Sequence, residues 1–387
     1  MTSIDLSDGN LSSLPEDVDL STIEELNLDG NEFSSFPRDF NNLTSLKKLS
    51  FCDNTFFSLE IGNLPSLEIL KLRGNNLSSI EIGNLPSLTE LDICYSELNS
   101  IPEELINKLS SLKKICLRNN YLKSLPQEIS KLSSLEKLDV SDNEFTSFPR
   151  EIDRLPSLKK LYIGYNNLIS CKIYNSTLTD LDLDSTGLFS LSGEICQLTL
   201  LKKLHLAHNK LSSLPREIGK LNSLEELFLD YNELTFLPRE IGNLIFLKKL
   251  FLEGNNLSSL PREIGNLSFL ENLGLNCNNL SSLPLELGKI VSSLNNIEIR
   301  FNNFKEETLL CIVNSLVFKH KTKIELLDEY FTERRNEKWE KMRLMYLSQQ
   351  TKDGAFSKLP IEIIWYIQNL CDENDMLIIF ENEKRKK

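Results

Sequence analysis

Apolar residues follow a two-part rhythm along most of the chain. At 224–232 the sequence reads LEELFLDYN, and at 247–255 it reads LKKLFLEGN. Aligned on the first leucine of Leu-x-x-Leu-x-Leu-x-x-Asn, the units start at Ile23, Leu46, Leu67, Leu88, Leu112, Leu135, Leu158, Leu178, Leu201, Leu224, Leu247, Leu270 and Leu294, after a partial unit, IDLSDGNLSSLP. In Leu-x-Leu the leucines alternate, so the pattern predicts a short strand with one face turned inward. The asparagine falls where the chain must turn. Its amide both donates and accepts, so a column of asparagines can bridge successive turns. The second half of the unit, Leu-Pro-x-Glu-Ile-Gly-x-Leu, begins with a residue that cannot donate to a sheet and continues with apolar residues spaced for a short helical turn. LPREIG recurs at 214–219, 237–242 and 260–265. One unit cannot bury its own leucines, whereas stacked units bury them continuously.

The wording LPREIGNLxxLKKLxLxxNxLSS resembles the leucine-rich repeat family, and most closely its intracellular Ras-group type. The resemblance covers about residues 4–304. It implies an α/β solenoid: a curved parallel sheet on the concave face, short helices and turns on the convex face, and protein binding as its general activity. The units starting at Leu46 and Leu67 lose the first proline, and the unit at Leu158 replaces its back half with ISCKIYNST. Ser96 and Thr186 stand where the asparagine is expected. A local change of curvature is expected near 169–177.

The variable positions around Leu-x-Leu-x-x-Asn have no core duty, so they carry the functional expectation. In the middle units they are Tyr162, Tyr165, Asp182, Asp184, His205, His208, Phe228, Asp230, Tyr231, Phe251 and Glu253. Aromatic rings beside acids suit a protein interface, with rings supplying area and carboxylates orientation. A partner with a basic surface is expected there. Asp182, Asp184, His205 and His208 could in principle approach a metal ion, but the groove is open and no third histidine is near, so neither a metal nor any other cofactor is expected. Arg150, Arg216, Arg239 and Arg262 follow the proline and each has a glutamate beside it; this ladder reads as a solvated, self-screened strip.

After Lys305 the wording changes. Leu309, Ile312, Val313 and Leu316 have helical spacing and read as a cap over the last repeat. TKDGAFS at 351–357 reads as a linker. The organisation expected is a repeat solenoid over 1–304, a helical C-terminal cap and extension over 305–350, and a helical tail over 351–387. Within the tail, LPIEIIWYIQNL resembles the start of an F-box, the adaptor-docking motif of cullin ubiquitin ligases. That resemblance implies adaptor contacts by Leu359, Pro360, Ile363 and Ile367, and a substrate-receptor role as the alternative function. The chain stops before the last part of a full F-box. The bacterial leucine-rich ubiquitin ligases are a poorer match, since Cys371 is followed directly by Asp372 and no large helical catalytic region follows the repeats.

Composition narrows the choice. The net charge of −13 argues against nucleic acid and anionic membranes, which are polyanions. No basic leader precedes an apolar segment, and no apolar run reaches the length of a membrane span. The eight cysteines show neither zinc spacing nor a disulfide framework. They are expected to be free thiols in a cytoplasmic protein, or in a host cytosol for a secreted effector of an intracellular bacterium or large virus. GxSxG, P-loop, kinase and HExxH motifs are absent. The expectation is a monomeric, non-enzymatic scaffold that binds another protein on its concave face.

Overall fold

A computed structural model describes residues 3–304, apart from 16, 17, 19, 21, 38, 39, 41, 42 and 291, together with the strand Lys323–Ile324. The cap and tail expected beyond Lys305 otherwise lie outside the described residues. Every Leu-x-Leu segment forms a three-residue strand, from Ser3–Asp5 and Glu25–Asn27 to Asn296–Glu298. These strands pair in parallel, each with the next along the chain, in one sheet that Lys323–Ile324 extends by a further strand. The register is uniform: Leu204 lies beside Leu227, and Leu227 beside Leu250. The leucines therefore form columns, and Leu204, Leu227, Leu229 and Leu250 have no exposed surface.

The second halves of the units cross behind this core. Proline sets the entry to a 3-10 helix in Gln127–Lys131, Arg150–Arg154, Arg216–Lys220, Arg239–Asn243 and Arg262–Asn266. Its fixed φ suits the first helical turn and its missing N–H has no partner to lose there. The buried isoleucine of each turn, such as Ile218 or Ile241, closes the rear of the core. Two early units differ. Without their proline, Ser58–Ile61 and Ser79–Ile82 alternate exposed and buried residues and pair as a second, two-stranded parallel sheet. From the next unit the back is helical, beginning with the α-helix Glu103–Asn107. At 169–177 the irregularity takes the form of a helix-free back. Buried Asn175 ties it down by donating to the carbonyls of Ile152 and Leu155, at 2.8 and 2.9 Å.

The asparagine column holds the turns together. Asn232 Nδ2 donates across to the Leu206 carbonyl of the preceding unit at 2.8 Å and within its own unit to Leu229 at 3.1 Å. Its Oδ1 accepts the Leu211 N–H of the preceding unit at 3.0 Å. Asn209, Asn255 and Asn278 repeat this arrangement. Burial is safe for these amides because donors and acceptor are both used. The two substitutions behave differently. Thr186 donates to Leu183 at 2.8 Å and to Asn209 at 3.0 Å. Ser96 is buried, and its hydroxyl has no partner.

Two opposite changes test this column. Asn232→Ala should destabilise the fold by about 2–3 kcal/mol, because it leaves buried carbonyls and an N–H unsatisfied. Ser96→Asn should stabilise it by about 1 kcal/mol by restoring the missing rung. Urea unfolding of both variants measures the two effects; a Ser96→Asn protein no more stable than the parent would contradict the role given to the column.

Candidate functional site

The strands bring the expected concave residues into two parallel rows. One row is the residue between the two strand leucines. Tyr162 pairs with Asp182, Asp182 with His205, His205 with Phe228, and Phe228 with Phe251. Adjacent parallel strands lie about 4.8 Å apart, close enough for planar rings to stack. His205 and Phe228 stack at 4.2 Å between centroids and 17°, and Phe228 and Phe251 at 5.3 Å and 19°. The stack ends at Gly274, where a β-carbon would meet the Phe251 ring at 2.8 Å. A side chain there would force that ring off the sheet.

The other row is the residue immediately before the asparagine column. In unit after unit it has positive φ, with glycine at Gly30, Gly74 and Gly254 and asparagine at Asn119. Those residue types tolerate the left-handed region; larger ones cost roughly 1–2 kcal/mol there. Yet Tyr95, Tyr165, His208, Tyr231 and Phe301 adopt it, at φ of 53–56°. His208 stacks on Tyr231 at 4.6 Å and 9°. Tyr231 leans over Gly254 and donates its hydroxyl to Glu253 at 2.9 Å. Tyr165 and Tyr231 remain about half exposed, at 53% and 48%.

Asp182 belongs to the first row, Asp184 and Asp230 lie between the rows, and all three have a structural task that the sequence alone does not reveal. Asp184 Oδ1 accepts the Ala207 N–H at 2.6 Å, and Asp230 Oδ1 accepts the Glu253 N–H at 2.8 Å, each from the next unit. Asp182 Oδ1 accepts the Asp184 N–H at 2.9 Å. Burial raises Asp184 to about 6, and the neighbouring Asp182 charge pushes the same way. Burial likewise lifts Asp230 to about 6, and burial raises Asp182 above the ordinary carboxylate range. His205 Nδ1 stands 3.8 Å from Asp184 Oδ2. The site is thus an open floor of half-buried carboxylates bordered by two rows of rings.

Asp184 and His205 also exemplify a diagonal contact between one unit and the next. Ser50 donates to Asp29 across the same diagonal at 2.6 Å, and Asn276 to Glu298 at 2.8 Å. At Cys94 and Cys116 both positions are cysteine, and they form a disulfide with Cα atoms 5.8 Å apart. This corrects the expectation that all cysteines are free. Cys52, Cys171, Cys196 and Cys277 are free, and Cys311 and Cys371 lie outside the described residues. The signal was present in the numbering: the 22-residue separation is the 24-residue step from Leu88 to Leu112 less two residues, which is one such diagonal between neighbouring units.

The arginine ladder sits on the opposite side. Arg239 and Arg262 open 3-10 turns and each contacts its neighbouring glutamate, at 3.1 and 3.2 Å. Their side chains are 74% and 77% exposed. Leu359, Pro360, Ile363 and Ile367 lie outside the described residues. Among the described residues, no helix is long and apolar enough to cross a membrane.

Comparison with known proteins follows the same lines. The model of the leucine-rich repeat region matches residues 177–372, and leucine-rich repeat models match 86–145, 110–168 and 22–43. No curated protein matches the chain. A leucine-rich repeat protein of Leptospira interrogans shares 29% identity and superposes with a TM-score of 0.70, over 84% of this chain and 95% of that one. YopM, a leucine-rich effector protein of Yersinia pestis, shares 25% identity at a TM-score of 0.53, with 78% of each chain covered. The plant peptide hormone receptor RGFR1, solved in complex with RGF2, shares 26% identity at a TM-score of 0.55; 73% of this chain covers 52% of the receptor chain.

The cost of the buried acids gives a pH test. The Asp184 carboxyl moves from 3.8 in the unfolded chain to about 6 in the fold. The folded state therefore holds the proton more tightly, and its ionisation lowers stability as pH rises from about 4 to about 6. Asp184→Asn keeps the acceptor for Ala207 and removes the charge. It should raise stability on the order of 1 kcal/mol at pH 7 and leave it unchanged below pH 4. Thermal melts across this range decide; a variant that is less stable at pH 7 would show that the charge itself supports the fold.

Proposed function

The chain belongs to the leucine-rich repeat family, and on that premise we propose that it is a non-enzymatic scaffold that binds another protein on the concave face. One observation carries this reading: two rows of stacked rings stand on an open face that the core does not need, and one row occupies left-handed positions where glycine or asparagine would be less costly. Uncompensated strain and exposed rings oppose folding and solubility. Contact with a partner offsets both. Leucine-rich repeat folds are generally interaction scaffolds, and the structurally similar plant receptor is held in complex with RGF2, which supports a polypeptide ligand here.

In this reading Phe228, Phe251 and Tyr231 supply the contact area, with Tyr162, Tyr165, His205 and His208 continuing it toward the N-terminal units. Asp182, Asp184, Asp230 and Glu253 select a basic surface on the partner and make the association salt-sensitive. A monomer in the cytoplasm belongs to the same proposal; in a reducing compartment the Cys94–Cys116 disulfide would open to two thiols, like the four described cysteines that are free. Recruitment of a ubiquitin-ligase adaptor through Leu359, Pro360, Ile363 and Ile367 is a second reading, which rests on the wording of that segment. An adaptor pull-down that depends on residues 357–380 would favour it.

Proximity labelling supplies the partner, and titration calorimetry then measures its affinity. Phe228→Ala with Tyr231→Ala should weaken binding by about 2 kcal/mol or more while leaving the fold intact. Arg239→Ala with Arg262→Ala, on the convex side, should be nearly silent. Binding that survives the aromatic pair and is lost with the arginines would transfer the interface to the LPREIG ladder.

A further inference from the structure

A separate cluster lies on the same sheet toward its N-terminal units. The two sulfurs of Cys94 and Cys116 and a carboxylate oxygen of Asp92 all lie within 4.8 Å of one another. Asp92 and Cys116 are register partners on adjacent strands, Glu90–Asp92 and Lys114–Cys116. Cys94 is two residues beyond Asp92, and so projects from the same face. The backbone therefore fixes all three donors before any ligand arrives. Asp92 Oδ1 accepts the Cys94 N–H at 3.0 Å. That bond orients the carboxylate and leaves its other oxygen for a further contact.

The disulfide is one state of this cluster. A dithiol reductant converts it to two thiols and is itself oxidised to a disulfide. The reduced set of two sulfurs and one carboxylate is borderline-soft, which suits zinc-class ions and disfavours magnesium and calcium. The open concave side leaves a fourth position for water. The Arg73 guanidinium lies over the ring of Tyr95, the residue after Cys94, at 4.7 Å.

We propose that Asp92, Cys94 and Cys116 form a redox-gated site for a thiophilic divalent cation. In the reduced protein the two thiols release two protons and the thiolates bind the ion. Hydrogen peroxide then takes two electrons from the thiolate pair and, with two protons, becomes two waters. The sulfurs join as the disulfide, and the ion leaves with its charge unchanged. In either state the unit that starts at Leu88 is tied to the one that follows it. That same unit carries the partnerless Ser96 hydroxyl in place of the rung to the unit before it.

The test uses the full chain, reduced, freed of reductant under nitrogen and titrated with Co²⁺. A sulfur-to-cobalt charge-transfer band should appear, saturate at one ion per chain and be displaced by Zn²⁺. Cys116→Ser should abolish the band, and Asp92→Asn should weaken the affinity roughly ten-fold or more. Cys52→Ser and Cys277→Ser should leave it unchanged. Peroxide-treated protein should show no band. Circular dichroism confirms that each variant is folded, and a variant that fails to fold is replaced by alkylation of the reduced parent, which should also abolish the band. A reduced parent without the band, a band that survives Cys116→Ser, an unchanged affinity in Asp92→Asn, or equal binding by oxidised protein would each overturn the proposal.

Discussion

The structure depends on one constraint: no single turn of this chain can bury its leucines and satisfy its backbone alone. Three-residue strands such as Glu226–Phe228 are too short to stand as independent elements. They exist because Leu227 packs between Leu204 and Leu250, and because Asn232 bonds back to the preceding turn through both its donor and its acceptor. Leucine columns supply the attraction; asparagines supply the register. A slip of one residue would bring Phe228 under the sheet and put Leu227 in water. The uniform register is therefore the cause of the aromatic rows as much as of the core.

Once the register is set, the concave face becomes a lattice. Each position faces its equivalents in the neighbouring turns, and small differences in residue type acquire defined contacts. Ring beside ring gives the His205–Phe228–Phe251 stack. Ring beside glycine gives the end of the stack at Gly274 and the lean of Tyr231 over Gly254. Along the diagonal, hydroxyl to carboxylate gives Ser50–Asp29, and cysteine to cysteine gives Cys94–Cys116. The charged residues at the leading edge obey the same rule. Glu225 contacts both Lys202 and Lys248, at 3.2 and 2.8 Å. These pairs are solvent-exposed and each adds little to stability, so they reinforce the order of the turns without creating it.

Much of this was legible in the sequence because the period is strong. The strands, the buried leucines, the asparagine column and the concave placement of Tyr162, Asp182, His205 and Phe228 all follow from alternation and a repeated length. Three things did not. The back of the early units became strands because losing one proline left Ser-Leu-Glu-Ile free to alternate, a change that the unit length alone does not reveal. Asp184 and Asp230 accept N–H groups from the next turn, which requires knowing the diagonal. The Cys94–Cys116 pair needs the same knowledge, since its spacing is meaningful only as one unit length less two residues.

The same lattice separates what a side chain does for the fold from what it can do for a partner. Asp184 and Asp230 serve both: one oxygen holds the next turn's N–H, and the carboxylate still carries charge to the open face above about pH 6. An asparagine could perform the first task without the cost of a half-buried charge, and Asn276 does so for Arg300 in a later turn at 2.8 Å. Tyr231 presents the parallel case for the rings. Glycine occupies its position in the next turn, at Gly254, in the same left-handed conformation and without strain. Where a residue less costly to the fold stands in the equivalent setting of another turn, the costlier residue is one that the fold itself does not require. Asp184, Asp230 and Tyr231 meet that condition together on the stretch of sheet that also carries the stacked rings, and this convergence is the ground on which that face is proposed as the binding surface.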